Sequence, residues 1–189
     1  YYPLIMTTST LAINVPLIGS ITQLDTVDYF FIDISNVTAT LEHLNASTFK
    51  ILDVLLVNNF TKRSIVISFG GGVIGDVAAL ASSLYLRGLN YVCIPTTMTA
   101  IVDSSIGGKT AINYKGITNS LGTYHHPKIV FILEHVINDL PEREFNAGIA
   151  EVIKCGIIGD QKIIKFMSHK TSFFNFEFFL FNHHFSACY

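Results

Sequence analysis

Ile65-Val66-Ile67-Ser68-Phe69-Gly70-Gly71-Gly72-Val73-Ile74-Gly75-Asp76 is the stretch on which the fold turns. Its first five residues are mostly β-branched or apolar and read as a central strand. The strand runs straight into glycines that fit Gly-x-Gly-x-x-Gly, and a helix follows through Ala78, Ala81 and Tyr85 until Gly88 stops it. Strand, glycine turn and helix start form the arrangement in which free backbone N–H groups meet a pyrophosphate. Taken alone, the same pattern also fits a plain tight turn. The acidic residue that would hold a ribose about 20 positions further on is absent, since Asn90 and Tyr91 lie there. The pattern therefore argues for a nucleotide but against an ordinary dinucleotide fold.

Downstream, Tyr91-Val92-Cys93-Ile94 reads as the next strand, ending at Pro95-Thr96-Thr97. Ligands of open α/β sheets collect at the carboxyl ends of strands, so Thr96 and Thr97 stand where hydroxyls reach a cofactor. The stretch Val102 to Asn113 places Asp103, Ser104, Ser105, Gly107, Gly108 and Lys109 close together. No apolar period of 2 or 3.6 runs through it, so neither a helix nor a strand is expected there. The glycine pair lets backbone approach a ligand, and Lys109 supplies a compact cation for phosphate or carboxylate. Residues 116–126 are polar and read as a loop, and Ile129 to Ile132 as a further strand.

Upstream, Tyr29 to Ile32 reads as a buried parallel strand. Thr48 is placed as the cap of a helix whose Ile51, Leu52, Leu55 and Leu56 share a face, ended by Asn58-Asn59. Strands alternating with helices predict a parallel sheet covered on both faces. Past Pro141 the pattern becomes helical from Glu144 to Ile158, with Phe145, Ile149, Val152 and Ile153 on the apolar side. Glu151 and Lys154 share a face by spacing alone, and their apolar neighbours favour a buried functional pair over a surface ion pair. Residues 173–185 carry seven phenylalanines, a pattern apolar nearly all round a helix, which demands burial. His183 and His184 are adjacent and point apart on a helix, so they are not expected to be metal ligands.

The chain has 189 residues, 50% of them hydrophobic and 14% charged, which favours a packed core over disorder. Its net charge of -2, without a basic block, makes a nucleic-acid partner a poor fit. A mean hydropathy of +0.46 raises the membrane question. Asp53 and Asn58 break one apolar run, however, and Asp76 and Arg87 another, too early to span a bilayer. No secretory leader is expected at the N-terminus. Cys93, Cys155 and Cys188 match neither a disulfide framework nor a metal site, and reduced thiols in a cytoplasmic protein are expected.

Gly-Gly-Gly-Val-Ile-Gly-Asp (70–76), Tyr-Leu-Arg-Gly (85–88), Pro-Thr-Thr (95–97), Val-Asp-Ser-Ser-Ile-Gly-Gly-Lys-Thr (102–110) and Ala-Glu-Val-Ile-Lys (150–154) together resemble the 3-dehydroquinate synthases. The likeness is good from about Ile51 to Asp160. It implies a fold with an α/β NAD-binding domain, residues 1–141, and the truncated start of an α-helical metal and substrate domain, residues 142–189. It also implies catalytic use of bound NAD with a divalent metal, zinc or cobalt. The substrate would be a sugar acid phosphate, 3-deoxy-D-arabino-heptulosonate 7-phosphate. Transient oxidation at C5 acidifies C6–H, phosphate is eliminated, the ketone is re-reduced, and an intramolecular aldol closes the ring in the second step of the shikimate pathway. Carried over by motif, Gly71, Gly72 and Val73 meet the NAD pyrophosphate, while Asp76, Thr96, Thr97, Asp103 and Lys109 complete the cofactor shell. Lys109, Asn119 and Lys154 match substrate-contacting positions. Arg87 matches one that reaches the substrate phosphate from the neighbouring subunit of a homodimer, and Glu151 matches the first metal ligand.

Three departures stand out. A family Gly-Lys-Asn loop reads Ile117-Thr118-Asn119 here, replacing a cation by a hydroxyl. No room remains between Leu44 and Lys50 for the family's Gly-Glu-x-x-Lys segment. The two metal-binding histidines of the family belong to a C-terminal half beyond these residues, and Glu151 alone falls short of the three protein ligands usual for a catalytic ion. No synthase turnover is therefore expected of this chain alone. A different sugar phosphate cyclase, of the 2-deoxy-scyllo-inosose or valiolone type, and a non-catalytic nucleotide-binding pseudoenzyme are the alternatives. Common to every enzymatic reading is one geometric expectation. The amides near Gly72, the Lys109 ammonium and the Glu151 carboxylate should converge on one pocket.

Overall fold

A computed structural model describes residues 4–8, 21–24, 27–32 and 41–168. The strands are β1 (Leu4–Thr8), β2 (Ile21–Leu24), β3 (Val27–Ile32), β4 (Ile65–Gly70), β5 (Asn90–Pro95), β6 (Lys109–Tyr114), β7 (Ile117–Tyr124) and β8 (Ile129–Leu133). The α-helices are α1 (Leu41–Val57), α2 (Gly72–Leu84), α3 (Glu134–Asn138), α4 (Glu142–Ile158) and α5 (Gln161–Ser168). Six strands form one sheet in the order β1-β8-β5-β4-β3-β2, parallel throughout except for the antiparallel edge pair β2/β3. This is the expected α/β class, with β4 in the interior of the sheet as its β-branched run requires.

The core lies where α2 meets β4, β6 and α1. Val77, Ala78, Ala79, Leu80, Ala81 and Ser82 are all buried. Small side chains on so much of the helix circumference let neighbours approach from several sides. Ser82 satisfies its buried hydroxyl within the helix, donating to the Ala78 carbonyl at 2.7 Å. α2 gives way to a 3₁₀ turn at Tyr85–Arg87, and Gly88 follows at φ 109°, a backbone conformation suited to glycine.

Several expectations are corrected. Thr48 does not cap α1 but sits buried within it, because the helix starts at Leu41. Leu56 is 65% exposed, so the buried stripe of α1 is Ile51 and Leu55. Asn58-Asn59 does end that helix: Asn58 Nδ2 donates to the Val54 carbonyl at 2.8 Å and Asn59 turns to φ 55°. The 102–113 stretch contains both kinds of regular structure: a π-helical turn over Ala100–Ser104 and then β6. Ala100, Ile101 and Val102 are buried, and β6 buries Thr110 and Ile112 at period 2. The 116–126 loop is instead β7, which pairs with β6 through a two-residue turn with Lys115 at φ 50° and Gly116 at φ 79°. Positive φ at both positions is the hairpin turn that matches strand twist.

α4 begins two residues before the expected Glu144 and ends at Ile158 as the apolar pattern indicates. Val152 is buried, whereas Ile153 is 40% exposed and lies off the packed face. Reduced thiols hold for Cys93 and fail for Cys155, which is disulfide-bonded. The phenylalanine-rich segment, with His183 and His184, lies outside the described residues. Among those described, no helix is long and apolar enough to cross a membrane.

Candidate cofactor and substrate site

The carboxyl end of β4 passes through Gly70 and Gly71 into α2, whose N-cap is Gly71 with φ -72° and ψ -175°. No side chain caps this helix. The Gly75 N–H already donates to the Gly71 carbonyl at 3.1 Å. By helix geometry the N–H groups of Gly72, Val73 and Ile74 point out of the helix end, where an anion is favoured. The glycines are needed for closeness. A Cβ on Gly71 would lie 3.2 Å from Thr97 Cγ2, and one on Gly72 3.0 Å from Ser104 Oγ. The ends of β4 and β5 are tied by the Thr96 N–H, which donates to the Gly70 carbonyl at 2.9 Å. Thr97 Oγ1 accepts from the Ala100 N–H at 3.2 Å, so this hydroxyl also shapes the turn that carries Asp103.

Beside the helix start opens a cavity of about 490 Å³, lined among others by Asp76, Asp103, Ser104, Lys109, Asn119 and Tyr124. A narrow crevice behind it connects Gly71, Gly75 and Asp76 with Tyr91, Ser104 and Lys109. The cavity is open because β6 and β7 fold back as a separate hairpin instead of joining the main sheet. Asn119 takes φ 50°, and its N–H donates to Asn113 Oδ1 at 2.8 Å, fixing the position of its amide on the cavity wall. Burial first, and then the nearby Asp103 charge, push the Asp76 carboxyl up to about 7. At neutral pH this group is poised between donor and acceptor forms.

Lys154 donates to Glu151 Oε2 in a short contact and lies 3.8 Å from Asp103 Oδ1. The Glu151 bond first, and the two neighbouring carboxylates, raise the Lys154 pKa. The pair is not buried, as its spacing among apolar neighbours suggested: the Lys154 side chain is 46% exposed and that of Glu151 33%. The reason is that α4 turns its Gly148 and Val152 face inward. A Cβ on Gly148 would collide with the Met98 side chain and backbone, so the helix backbone itself seats against the turn that carries Asp103.

The structure thus brings Asp76, Asp103, Lys109 and Asn119 around one cavity. Gly71 lines the crevice behind it, Gly72 and Val73 follow in the first turn of α2 without lining either space, and Thr96 and Thr97 lie at the adjacent strand end. Glu151 does not line the cavity, and it reaches Asp103 only through Lys154. Of the expected three-way convergence, the glycine turn meets Lys109 in the crevice through Gly71 and Gly75, whereas Glu151 is linked only indirectly. Arg87 is apart, past the far end of α2, roughly 20 Å from the helix start at 1.5 Å per residue. Among the described residues no group of three or more His, Cys, Asp or Glu could hold a metal ion. Glu151, bonded to Lys154, is not a metal centre on its own, and the donors among the described residues do not fit zinc or cobalt.

Sequence reading missed the contribution of the hairpin: Thr110, Ser120, Thr123 and Tyr124 line the cavity because β7 returns beside β6. The Lys115-Gly116 pair between two β-branched stretches was the available signal.

Residues 35–147 match the family model described as 3-dehydroquinate synthase N-terminal. A 3-dehydroquinate synthase of Dictyoglomus thermophilum is 50% identical over 111 residues, which is 59% of this chain and 31% of that protein. A 2-epi-5-epi-valiolone synthase from Streptomyces hygroscopicus, solved with NAD+ and Zn2+ bound, superposes with a TM-score of 0.63 at 32% identity over 67% of this chain and 36% of its own. A 2-deoxy-scyllo-inosose synthase, solved with carbaglucose-6-phosphate, NAD+ and Co2+, gives a TM-score of 0.61 at 27% identity, covering 64% of this chain and 33% of its own. The chain spans about a third of the length of these relatives.

Proposed function

Because the chain belongs to the 3-dehydroquinate synthase family, we propose that it is the NAD-binding part of an enzyme that converts 3-deoxy-D-arabino-heptulosonate 7-phosphate to 3-dehydroquinate and phosphate. The observation that carries this reading is the uncapped start of α2 beside a cavity bearing Asp76, Asp103 and Lys109. NAD, when bound, supplies the hydride acceptor for the transient oxidation and the hydride donor for the re-reduction.

The chain's own groups divide the remaining work. The N–H groups of Gly72 and Val73, together with the backbone of Gly71, hold the pyrophosphate, with Thr96 and Thr97 at the adjacent strand end. Asp76 and Asp103 orient the ribose and nicotinamide end. Lys109, which lines both the crevice and the cavity, reaches the cofactor as well as the substrate, and with Asn119 it fixes an anionic, hydroxyl-rich substrate. Lys154, held by Glu151 and Asp103, brings a second cation to its rim. Two cations on one cavity stabilise charge that develops as phosphate leaves. The described donors do not fit a divalent ion, so no step is assigned to one. Arg87, on the far side of α2, suits contact with a partner subunit's substrate phosphate in a homodimer. A division into an NAD domain ending near Pro141 and a metal and substrate domain from Glu142 onward belongs to the same proposal, as does a cytoplasmic location.

The 50% identity to a named 3-dehydroquinate synthase, against 27% and 32% for the two solved cyclases, favours the dehydroquinate reaction. Titration of the chain with NADH, followed by nicotinamide fluorescence, tests the cofactor reading. Saturable binding that weakens about tenfold in Lys109→Ala is expected, and no binding removes the reading. Phosphate release from the heptulosonate phosphate by this chain alone is expected to equal a no-enzyme blank. Release above the blank overturns the assignment of the chain to a non-turning-over part.

A further inference from the structure

A buried phenol stands directly behind the glycine turn. Tyr91, on β5, is 3% exposed, and its ring lies against the narrow crevice shared with Gly71, Gly75, Asp76 and Lys109. Its hydroxyl donates to the Gly75 carbonyl at 3.2 Å. With that proton committed, the 2.8 Å contact to Ser68 Oγ is made by the serine donating to the phenol oxygen. Three elements are joined at one oxygen: β4 through Ser68, β5 through Tyr91, and the first turn of α2 through Gly75. Both bonds of the phenol oxygen lie at depth, and leaving it unpaired there is costly.

Burial, and then the neighbouring Cys93, keep the phenol protonated well beyond its ordinary range, so it stays a donor. The Gly75 carbonyl belongs to the same turn as the outward N–H groups of Gly72, Val73 and Ile74. The Gly75 N–H closes that turn on the Gly71 carbonyl at 3.1 Å, so a bond that holds Gly75 holds the end of the turn from which those N–H groups project. His125 stacks on the Tyr91 ring with centroids 6.4 Å apart and itself bonds the Leu89 carbonyl at 3.0 Å, so the ring is held from its other side as well.

We propose that Tyr91, oriented by Ser68, is a positioning residue that sets the aim of the α2 N-terminal amides at the pyrophosphate of the cofactor. This inference rests on the cofactor reading above and adds a residue that the glycine motif does not contain. The molecule carries its own control. Tyr85 makes the same kind of bond, its hydroxyl donating to the Leu55 and Phe60 carbonyls at 3.0 and 3.1 Å, but at the opposite end of α2. A phenol that only holds the fold together would behave like Tyr85.

The test compares NADH affinity and thermal midpoint for the unsubstituted chain, Tyr91→Phe, Ser68→Ala and Tyr85→Phe. NADH binding about fivefold weaker in Tyr91→Phe and about twofold weaker in Ser68→Ala is expected, the size of one net hydrogen bond and a fraction of one. Tyr85→Phe should lower the thermal midpoint as much as Tyr91→Phe yet leave NADH affinity unchanged. Unchanged affinity in Tyr91→Phe, or equal loss in both phenylalanine variants, overturns the proposal. If the unsubstituted chain binds no NADH, the cofactor reading falls. The positioning role is then decided by amide hydrogen exchange of peptides over residues 70–80. Faster exchange there in Tyr91→Phe but not in Tyr85→Phe upholds it, and equal exchange overturns it.

Discussion

One wall of the cavity is set by Asp76 on α2, and the helix beyond it is buried from Val77 to Ser82. The facing wall is β7, exposed along nearly its whole length, with Ile117 and Tyr124 open to solvent. The first wall is held by the core, where side-chain burial supplies most of the stability. The second is held by a few close approaches. Gly122 lies so near the Thr110 carbonyl that no Cβ fits between them. A hydroxyl relay runs from Thr110 through Thr123 to Ser83 on α2, with O···O distances of 3.0 and 2.8 Å. The difference assigns the two walls different duties. On the proposed function, a wall backed by the core suits the cofactor, and a lightly anchored hairpin suits a substrate that must enter and leave.

The largest effect that separates the walls is a pair of glycine substitutions. Gly122→Val places two methyls against backbone that cannot yield, and a loss of about 3 kcal/mol is expected in urea unfolding. Gly75→Ala, whose Cβ would stand 3.7 Å from the Tyr91 hydroxyl in ordinary contact, is expected to gain about 0.5 kcal/mol through helix propensity. A loss at Gly75 as large as that at Gly122 would erase the contrast.

The next effect is pH-dependent and belongs to the helix wall. Asp76 holds its proton in the folded chain up to about pH 7, whereas the unfolded chain releases it near the ordinary carboxyl value of 3.8. The folded state binds more protons across that window, so stability falls as pH rises from about 4 through 7 and levels off above. Asp103 and Lys109 line the same cavity and set the remaining local charge. Thermal midpoints measured between pH 5 and 8 should drop by several degrees in the unsubstituted chain and flatten in Asp76→Asn. A slope that survives in the variant would place its origin elsewhere.

Smaller still is Thr123→Val, which cuts the hydroxyl relay between hairpin and helix. About 1 kcal/mol is expected, with faster amide exchange confined to residues 109–124. The smallest effect is Ile117→Thr on the open face of β7, expected to change stability by no more than about 0.5 kcal/mol. A large loss there would mean that the hairpin face is covered in solution.

Much of this architecture was legible beforehand because its signals are local. β4, the glycine turn, α2, β5 and β8 each announce themselves within a few residues, through β-branched runs, a glycine spacing and a capless helix start. The hairpin was not legible in the same way. Neither β6 nor β7 carries a strong apolar alternation, and the positive-φ pair that joins them is Lys115-Gly116 instead of the commoner Asn-Gly. The state of Glu151 and Lys154 was misjudged for a related reason. Spacing on a helix shows that two side chains meet, but the buried face of α4 is chosen by where its backbone can seat, at Gly148 against Met98.

The sequence by itself determined the α/β class and the family, and it supplied the residues of the proposed site, because backbone freedom at glycine and β-preference in strands act over neighbouring residues. Tertiary structure alone decided that Asp76, Asp103, Lys109 and Asn119 share a cavity, and that Lys154 joins Glu151 to Asp103 at its rim. It also decided that Tyr91 stands behind the glycine turn, 16 residues from the carbonyl it holds. Those relations depend on how far elements distant in sequence can approach. That distance is set by packing volume and hydrogen-bond satisfaction across the whole core, to which no single stretch of chain has access.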